Sequence, residues 1–372
     1  MADRRHDNSR KTVVQFYNRL NLGDDLLVHL LVSRSDGIFS MPRTTGSTLA
    51  DRPNVKMIER PGSGLSRRLR STLSRRPASN HSELSTAARS HDALIHIGGS
   101  IFIEHEGALD FWKKEVEYYE SLPVPYFIVD ANFGPFRSPD FPHLVRRILE
   151  GAADVCLRDK ESYDRFSDLP HVRIAPDAGF TVNPTPSART FDAVFSVMDL
   201  AITHGEDLAR SYERACGGAL RELLQEGKTV CLMSFCDFQG DHRAAERIRA
   251  IADPSGRFSE SVSVYSYRGD LDEAIGILSS AGVIFGTRFH AIVIGIALGI
   301  PTLPIVYSMK TTHMLDEIGL SGARADLVSG DLPASLNDLG PSVLPPTALA
   351  ALRARADQQF LGVDKYFGTR AS

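Results

Sequence analysis

Ala281-Gly-Val-Ile-Phe-Gly-Thr-Arg-Phe-His290 runs directly into Ala291-Ile-Val-Ile-Gly-Ile-Ala-Leu298, and the reading of this stretch decides the fold. Ala281–Phe285 is a short apolar run, Gly286 and Thr287 make a small-residue turn, and after His290 no charged residue occurs until Lys310. That pattern predicts a strand, a turn and a buried helix, then a further strand bounded by Pro301. Arg288 and His290 fall at the start of the helix, where unpaired backbone N–H groups favour an anion. They make a candidate seat for a phosphate or carboxylate. In isolation such a pair is as readily a surface charge beside a structural histidine, so the weight rests on its surroundings.

Working backwards, the same alternation recurs. Strands are predicted at Phe191–Val197, Thr229–Met233 and Ser261–Tyr265, and helices at 206–226, 242–251 and 271–278; Thr302–Val306 is the strand beyond the opening stretch. The first half reads alike. Thr12–Tyr17 is a strand; Asn21, Gly23, Asp24 and Asp25 form the turn after it, with Asp24 or Asp25 as helix cap; Leu26–Val32 is the helix. Strands follow at Asn54–Ile58, Asp92–Ile97, Pro125–Val129, Ala153–Leu157 and Val172–Ala175. Gly98 and Gly99 end one of them, where a backbone can approach a ligand closely. Arg158-Asp159 ends another. Two doubly wound, Rossmann-like α/β domains are therefore expected. Pro184 and Pro186 mark the linker, giving an N-terminal domain over 1–185, a C-terminal domain over 186–345, and a terminal helix and polar tail over 346–372.

Composition narrows the function. Forty-two basic against forty-six acidic side chains leave a net charge of −4, which speaks against nucleic acid as the partner. The polar N-terminus lacks the apolar core of a secretory signal, and the longest apolar run is broken by Pro301 and Pro304, so a cytoplasmic protein is expected. The four cysteines, at 156, 216, 231 and 236, show no paired spacing and read as reduced core thiols rather than zinc ligands. Six arginines between Arg60 and Arg76 read as a solvated helix or loop, with an anionic substrate or peripheral contact with a lipid surface as the other reading.

Asn21, Gly23, Asp24, Gly98, Gly99 and Arg158 in the first half, with Arg288 and His290 in the second, all end strands and converge if the two domains face a cleft. Cations at a helix N-terminus suit a phosphorylated anionic substrate, and no sequence spacing offers a metal-ligand cluster. Taken together, Asn21-Leu-Gly-Asp-Asp25, Gly98-Gly99, Gly134-Pro135, Arg158-Asp-Lys-Glu-Ser162, Asp177-Ala-Gly-Phe180 and Thr287-Arg-Phe-His-Ala291, leading through Gly299-Ile-Pro301 to Tyr307-Ser-Met-Lys310, resemble the polysaccharide pyruvyl transferase family. Family members often carry a third glycine where this chain has Ser100, a glycine-richer loop at 130–134, and leucine at the place of Phe289.

The resemblance implies a GT-B-like fold and transfer of the enolpyruvyl carbons of phosphoenolpyruvate onto two hydroxyls of one sugar in a polysaccharide or its precursor. The products would be a cyclic pyruvate ketal and phosphate. The acceptor would be a glycan or lipid-linked oligosaccharide. Phosphoenolpyruvate would be a co-substrate, with no cofactor or metal. Protonating the enol carbon suits a histidine, His290. Gripping a donor with a phosphate and a carboxylate needs at least two cations, for which Arg288 and Arg158 are candidates with Lys310 beside them. Asn21, Gly23, Asp24, Gly98 and Gly99 fall to the acceptor side or cleft wall. A GT-B glycosyltransferase using a nucleotide-sugar donor shares the same frame and is the alternative.

Overall fold

The computed structural model describes residues 10–43, 46–58, 81–183, 187–322, 324–329 and 333–368. The proline linker at 184–186 and the whole of the Arg60–Arg76 run lie outside them.

The first half alternates β1 (Lys11–Gln15), α1 (Leu22–Val32), β2 (Ile38–Pro42), β3 (Val55–Ile58), α2 (His81–Ala88), β4 (Ala93–Ile97), α3 (Leu109–Glu120), β5 (Tyr126–Ala131), α4 (Phe141–Glu150), β6 (Asp154–Leu157), α5 (Lys160–Phe166) and β7 (Val172–Ile174). The second runs β8 (Phe191–Val197), α6 (Ala201–His204), α7 (Glu206–Gln225), β9 (Val230–Ser234), α8 (Asp241–Ala252), β10 (Val262–Ser266), α9 (Leu271–Ser279), β11 (Ala281–Gly286), α10 (Phe289–Ala297), β12 (Thr302–Val306), α11 (Met309–Glu317) and β13 (Ala325–Asp326). Helices α12 (Pro346–Asp357) and α13 (Leu361–Phe367) follow.

Every strand pairing is parallel, and the orders are β3-β2-β1-β4-β5-β6-β7 and β10-β9-β8-β11-β12-β13. Both sheets thus reverse direction of growth at one point, between β1 and β4 and between β8 and β11, where doubly wound folds bind their ligands. The strands are apolar runs because helices cover both faces. Phe195 on β8 and Phe285 on β11 stack with ring centroids 4.2 Å apart across the second switch point. Helix α10 is buried from Ala291 to Ala297, which explains its uncharged sequence: it lies between its own sheet and the first half, against α1, α12 and the turn at Ala178–Thr181.

Several expectations change at the element ends. Asn21, not Asp24 or Asp25, caps α1, its Oδ1 accepting from Gly23 N at 3.0 Å; the helix therefore starts four residues earlier than the apolar run suggested, with both aspartates in its first turn, where a helix favours negative charge. β2, α2, α5 and α11 are short or polar and were not expected. The segment after residue 360 is helix α13 rather than a polar tail as far as Phe367. It returns to the first half, where Phe360 and Val363 join the core beneath β1, β2, β4 and β5. Arg34 clamps this return, pairing with Asp357 at 2.5 Å and Asp364 at 2.6 Å. Gln359 stitches it to the sheet, accepting from Asp130 N at 3.0 Å and donating to Ala175 O at 2.7 Å.

The two halves meet along their switch points. Leu22 N donates to Phe235 O at 3.1 Å. Tyr267 OH donates to the buried Asp25 at 2.7 Å, and Thr48 N donates to Gly269 O at 2.9 Å.

Candidate active site

His290 occupies the first turn of α10 and points toward the first half, its Nε2 3.6 Å from Asp177 Oδ2. It can lie there because residue 23 is glycine. A Cβ at Gly23 would stand 2.1 Å from His290 Nδ1, so any side chain at that place would expel the imidazole.

Arg158, at the end of β6, is the hub of the cluster. Its side chain is 2% exposed, donating to Asp177 Oδ2 at 2.8 Å and to Asn132 Oδ1 at 2.7 Å, with Asp130 Oδ2 at 3.6 Å. Gly99 makes room for it: a Cβ there would meet Arg158 Nη1 at 2.2 Å. The guanidinium lies 4.4 Å from the centroid of Phe289, and Lys310 Nζ lies 4.9 Å from the same ring. Phe289 thus holds two cations near one another. Lys310 also donates to Ser100 at 3.0 Å, across the halves. Burial, assisted by Arg158, lowers its pKa to about 7.

Three groups of metal-ligand type, Asp130, Asp177 and His290, bring ligand atoms within 4.8 Å of one another, a constellation that sequence spacing did not reveal. Its charge is already met by Arg158. The two carboxylates divide sharply. Burial and the neighbouring Asp177 push Asp130 well above the usual carboxylate range. Asp177 is held below that range despite its burial, because His290 and Arg158 lie beside it. Asp130 has φ of +62°, uncommon for a residue with a side chain. Ala178 N on its Oδ1 at 2.7 Å and Gln359 on its backbone N–H fix it there.

Arg288 takes a different direction from His290. Its guanidinium pairs with Asp241 at the head of α8 through two nitrogens, and its Nη1 donates to Gln239 Oε1 at 2.5 Å. Asp241 in turn accepts from the backbone N–H groups of Phe235 and Cys236. Tyr307 is half-buried, and desolvation raises the pKa of its hydroxyl, with Arg288, Asp241 and Arg158 within electrostatic reach. Gly98, with φ of +150°, brings the chain beside Asp24, whose Oδ1 is 3.5 Å from where a Cβ would be.

Gly23, Asp24, Gly98, Gly99, Arg158, His290 and Lys310 therefore share one cluster. Asn21 serves it indirectly, as the cap that sets α1. Asp130, Asn132, Asp241 and Gln239 carry site geometry without having been assigned a role from sequence. For Asp130 the available signal was an acid at the end of an apolar strand; Gln239 offers none.

The profile of the family described as polysaccharide pyruvyl transferase matches residues 21–309. The chain belongs to this family. A curated relative, the amylovoran biosynthesis protein AmsJ of Erwinia amylovora, is 24% identical over 282 residues, taking in 67% of this chain. The match spans 65% of that relative's length. Among solved structures, a protein described as a UDP-N-acetylglucosamine 2-epimerase from Listeria monocytogenes matches with a TM-score of 0.56 at 11% identity, covering 97% of this chain and 98% of that one. The UDP co-structure of MnaA from S. aureus matches with a TM-score of 0.55 at 10% identity, covering 98% of each chain. The likeness is one of fold: this pyruvyl transferase family member has the GT-B-like arrangement of two facing Rossmann-like halves. Among the described residues no helix is long and apolar enough to cross a membrane.

Proposed function

We propose that the protein transfers the enolpyruvyl group of phosphoenolpyruvate onto two hydroxyls of a sugar in a polysaccharide or its precursor, forming a pyruvate ketal and releasing phosphate. The observation that carries this reading is the meeting of Arg158, Lys310 and His290 in one cluster at the facing switch points. Cations there match a donor bearing a phosphate and a carboxylate, and the histidine would protonate the enol carbon as the acceptor oxygen attacks. Arg288, braced by Asp241 and Gln239, would supply the second positive edge of the donor site. The test is release of inorganic phosphate from phosphoenolpyruvate in the presence of glycan acceptors. Release of nucleoside diphosphate from an activated sugar, with phosphoenolpyruvate untouched, would replace this reading with glycosyl transfer.

Two expectations follow from the electrostatics. Arg158 already supplies the positive charge at the Asp130, Asp177 and His290 cluster, 2.8 Å from Asp177, so a divalent ion there would face a guanidinium at short range. Full turnover is expected in excess chelator; a strict requirement restored by one metal would refute it.

Lys310, with its pKa lowered to about 7, is a cation below that pH and neutral above it. Donor affinity should therefore fall as pH rises from 7 to 9, by up to about tenfold per unit if the neutral amine does not hold the anion. Calorimetric titration of phosphoenolpyruvate across that range reads it directly. Lys310→Arg, charged throughout, should flatten the dependence; an equal slope in that variant would remove Lys310 from donor binding.

A further inference from the structure

Asp24 is a half-buried acid beside the cations of the cluster that closes on none of them. Among the described residues its carboxylate makes no hydrogen bond or ion pair, unlike Asp177 and Asp241, which are each engaged by an arginine. Yet His290 from α10, Arg158 from the end of β6 and Lys310 from α11 all act on it, with Asp25 of its own helix opposing them. Tyr17 and Cys236 are also within its electrostatic reach, and Gly98 backs its Oδ1. A half-buried carboxylate with no protein partner keeps its lone pairs open toward the cleft. One left free at the switch-point cleft is available to a group that arrives with the substrate. Burial raises its pKa to about 6, so at neutral pH it is ionised and still basic enough to accept a proton.

We propose that Asp24 is the general base that takes the proton of the first acceptor hydroxyl as its oxygen bonds to C2 of the donor. The assignment rests on the pyruvyl-transfer reading above. In the addition step, the carbon–carbon double bond of phosphoenolpyruvate takes a proton from His290 at C3, the sugar oxygen forms its bond to C2, and the hydroxyl proton passes to Asp24. In the second step the C2–O bond to phosphate breaks with its electron pair leaving on phosphate, and the second hydroxyl oxygen bonds to C2. The second hydroxyl proton restores His290, and the proton on Asp24 departs with the phosphate. Both groups end as they began, and no oxidant or further reactant is needed. Asp177 is less suited to this part, since its oxygens already accept from Gly179 N and Arg158, and Asp130 is fully buried, its unbonded Oδ2 lying 3.6 Å from Arg158.

The experiment compares wild type, Asp24→Asn and Asp24→Ala in phosphate release from phosphoenolpyruvate, with methyl galactoside, methyl glucoside and methyl mannoside as acceptor probes. In parallel, binding of phosphoenolpyruvate is followed by calorimetry. Asp24→Asn should lose about one to two orders of magnitude in kcat, while donor affinity stays equal or tightens because a negative charge has left its surroundings. The acid limb that wild-type kcat shows near pH 6 should vanish in the variant, and added formate should restore part of the turnover of Asp24→Ala. A merely structural role would move neither the limb nor the formate response. An active wild type whose Asp24→Asn variant keeps kcat within threefold, or loses donor binding in step with kcat, overturns the assignment alone. A wild type that releases no phosphate with any probe overturns the pyruvyl-transfer reading and Asp24 with it.

Discussion

His290→Ala is expected to lower kcat by about a hundredfold or more while affinity for phosphoenolpyruvate changes little, because a general acid acts chiefly in the transition state. The structure sets the terms of that expectation. The imidazole sits against Gly23 with Asp177 at 3.6 Å, an arrangement that orients a ring able to give up a proton. His290→Gln keeps a polar side chain of similar reach but cannot deliver the proton, so it should not rescue turnover. Arg288→Ala, two positions earlier, should show the opposite split: a raised KM for the donor, worth roughly 1.5–3 kcal/mol for a charge-assisted bond, with a smaller change in kcat. Steady-state kinetics of phosphate release on the folded variants separates the two. Near-wild-type kcat in His290→Ala would leave the histidine a binding or structural residue.

Arg158→Ala is expected to cost the fold itself about 3–5 kcal/mol, the range for breaking a buried ion pair by removing one partner. The side chain is 2% exposed and stands between Asp177 and Asp130. Its loss leaves Asp130 and Asp177 packed together without the guanidinium, with only His290 beside Asp177, and Asn132 without that donor. A fall in Tm of roughly 5 °C by calorimetry is the corresponding signal for a chain of this length. Arg158→Lys should recover only part, since an ammonium cannot reach Asp177 and Asn132 in the fork geometry of a guanidinium. Combining Arg158→Ala with Asp130→Asn should also recover part, because one uncompensated charge is then gone. A Tm for Arg158→Ala within about 2 °C of wild type would show that these carboxylates do not depend on the arginine.

The alternation of apolar strands and helices was legible because parallel sheets are covered on both faces, and β8 to β12 are near-continuous apolar runs. Short elements with polar faces were not: α5 is seven residues long, too short for a helical period to register. Its one local signal was Asp159 as cap, with Oδ1 accepting from Ser162 N at 2.8 Å. At the site, Arg288 and His290 stood out as charges after a strand, and Arg158 likewise. Their divergence did not. Two residues two positions apart around a helix start point to different walls, and which wall depends on Asp241 and Asp177, distant in sequence. The pairing of Arg158 with Asp130 and Asp177 joins the ends of β5, β6 and the segment after β7, which only the sheet order brings together.

The return of α13 and Gln359 to the first sheet bears on how the protein is made. Phe360 and Val363 complete a core whose other members lie between Val14 and Ala178, and the second half is synthesised between them. Domains generally fold as the chain emerges, N-terminal first. Here the N-terminal sheet can assemble early but keeps an open apolar face, and the backbone of Asp130 waits for the amide of Gln359. The first half is therefore the part most exposed to chaperones and to wrong partners while the second is being translated, and it is made whole only when the chain doubles back.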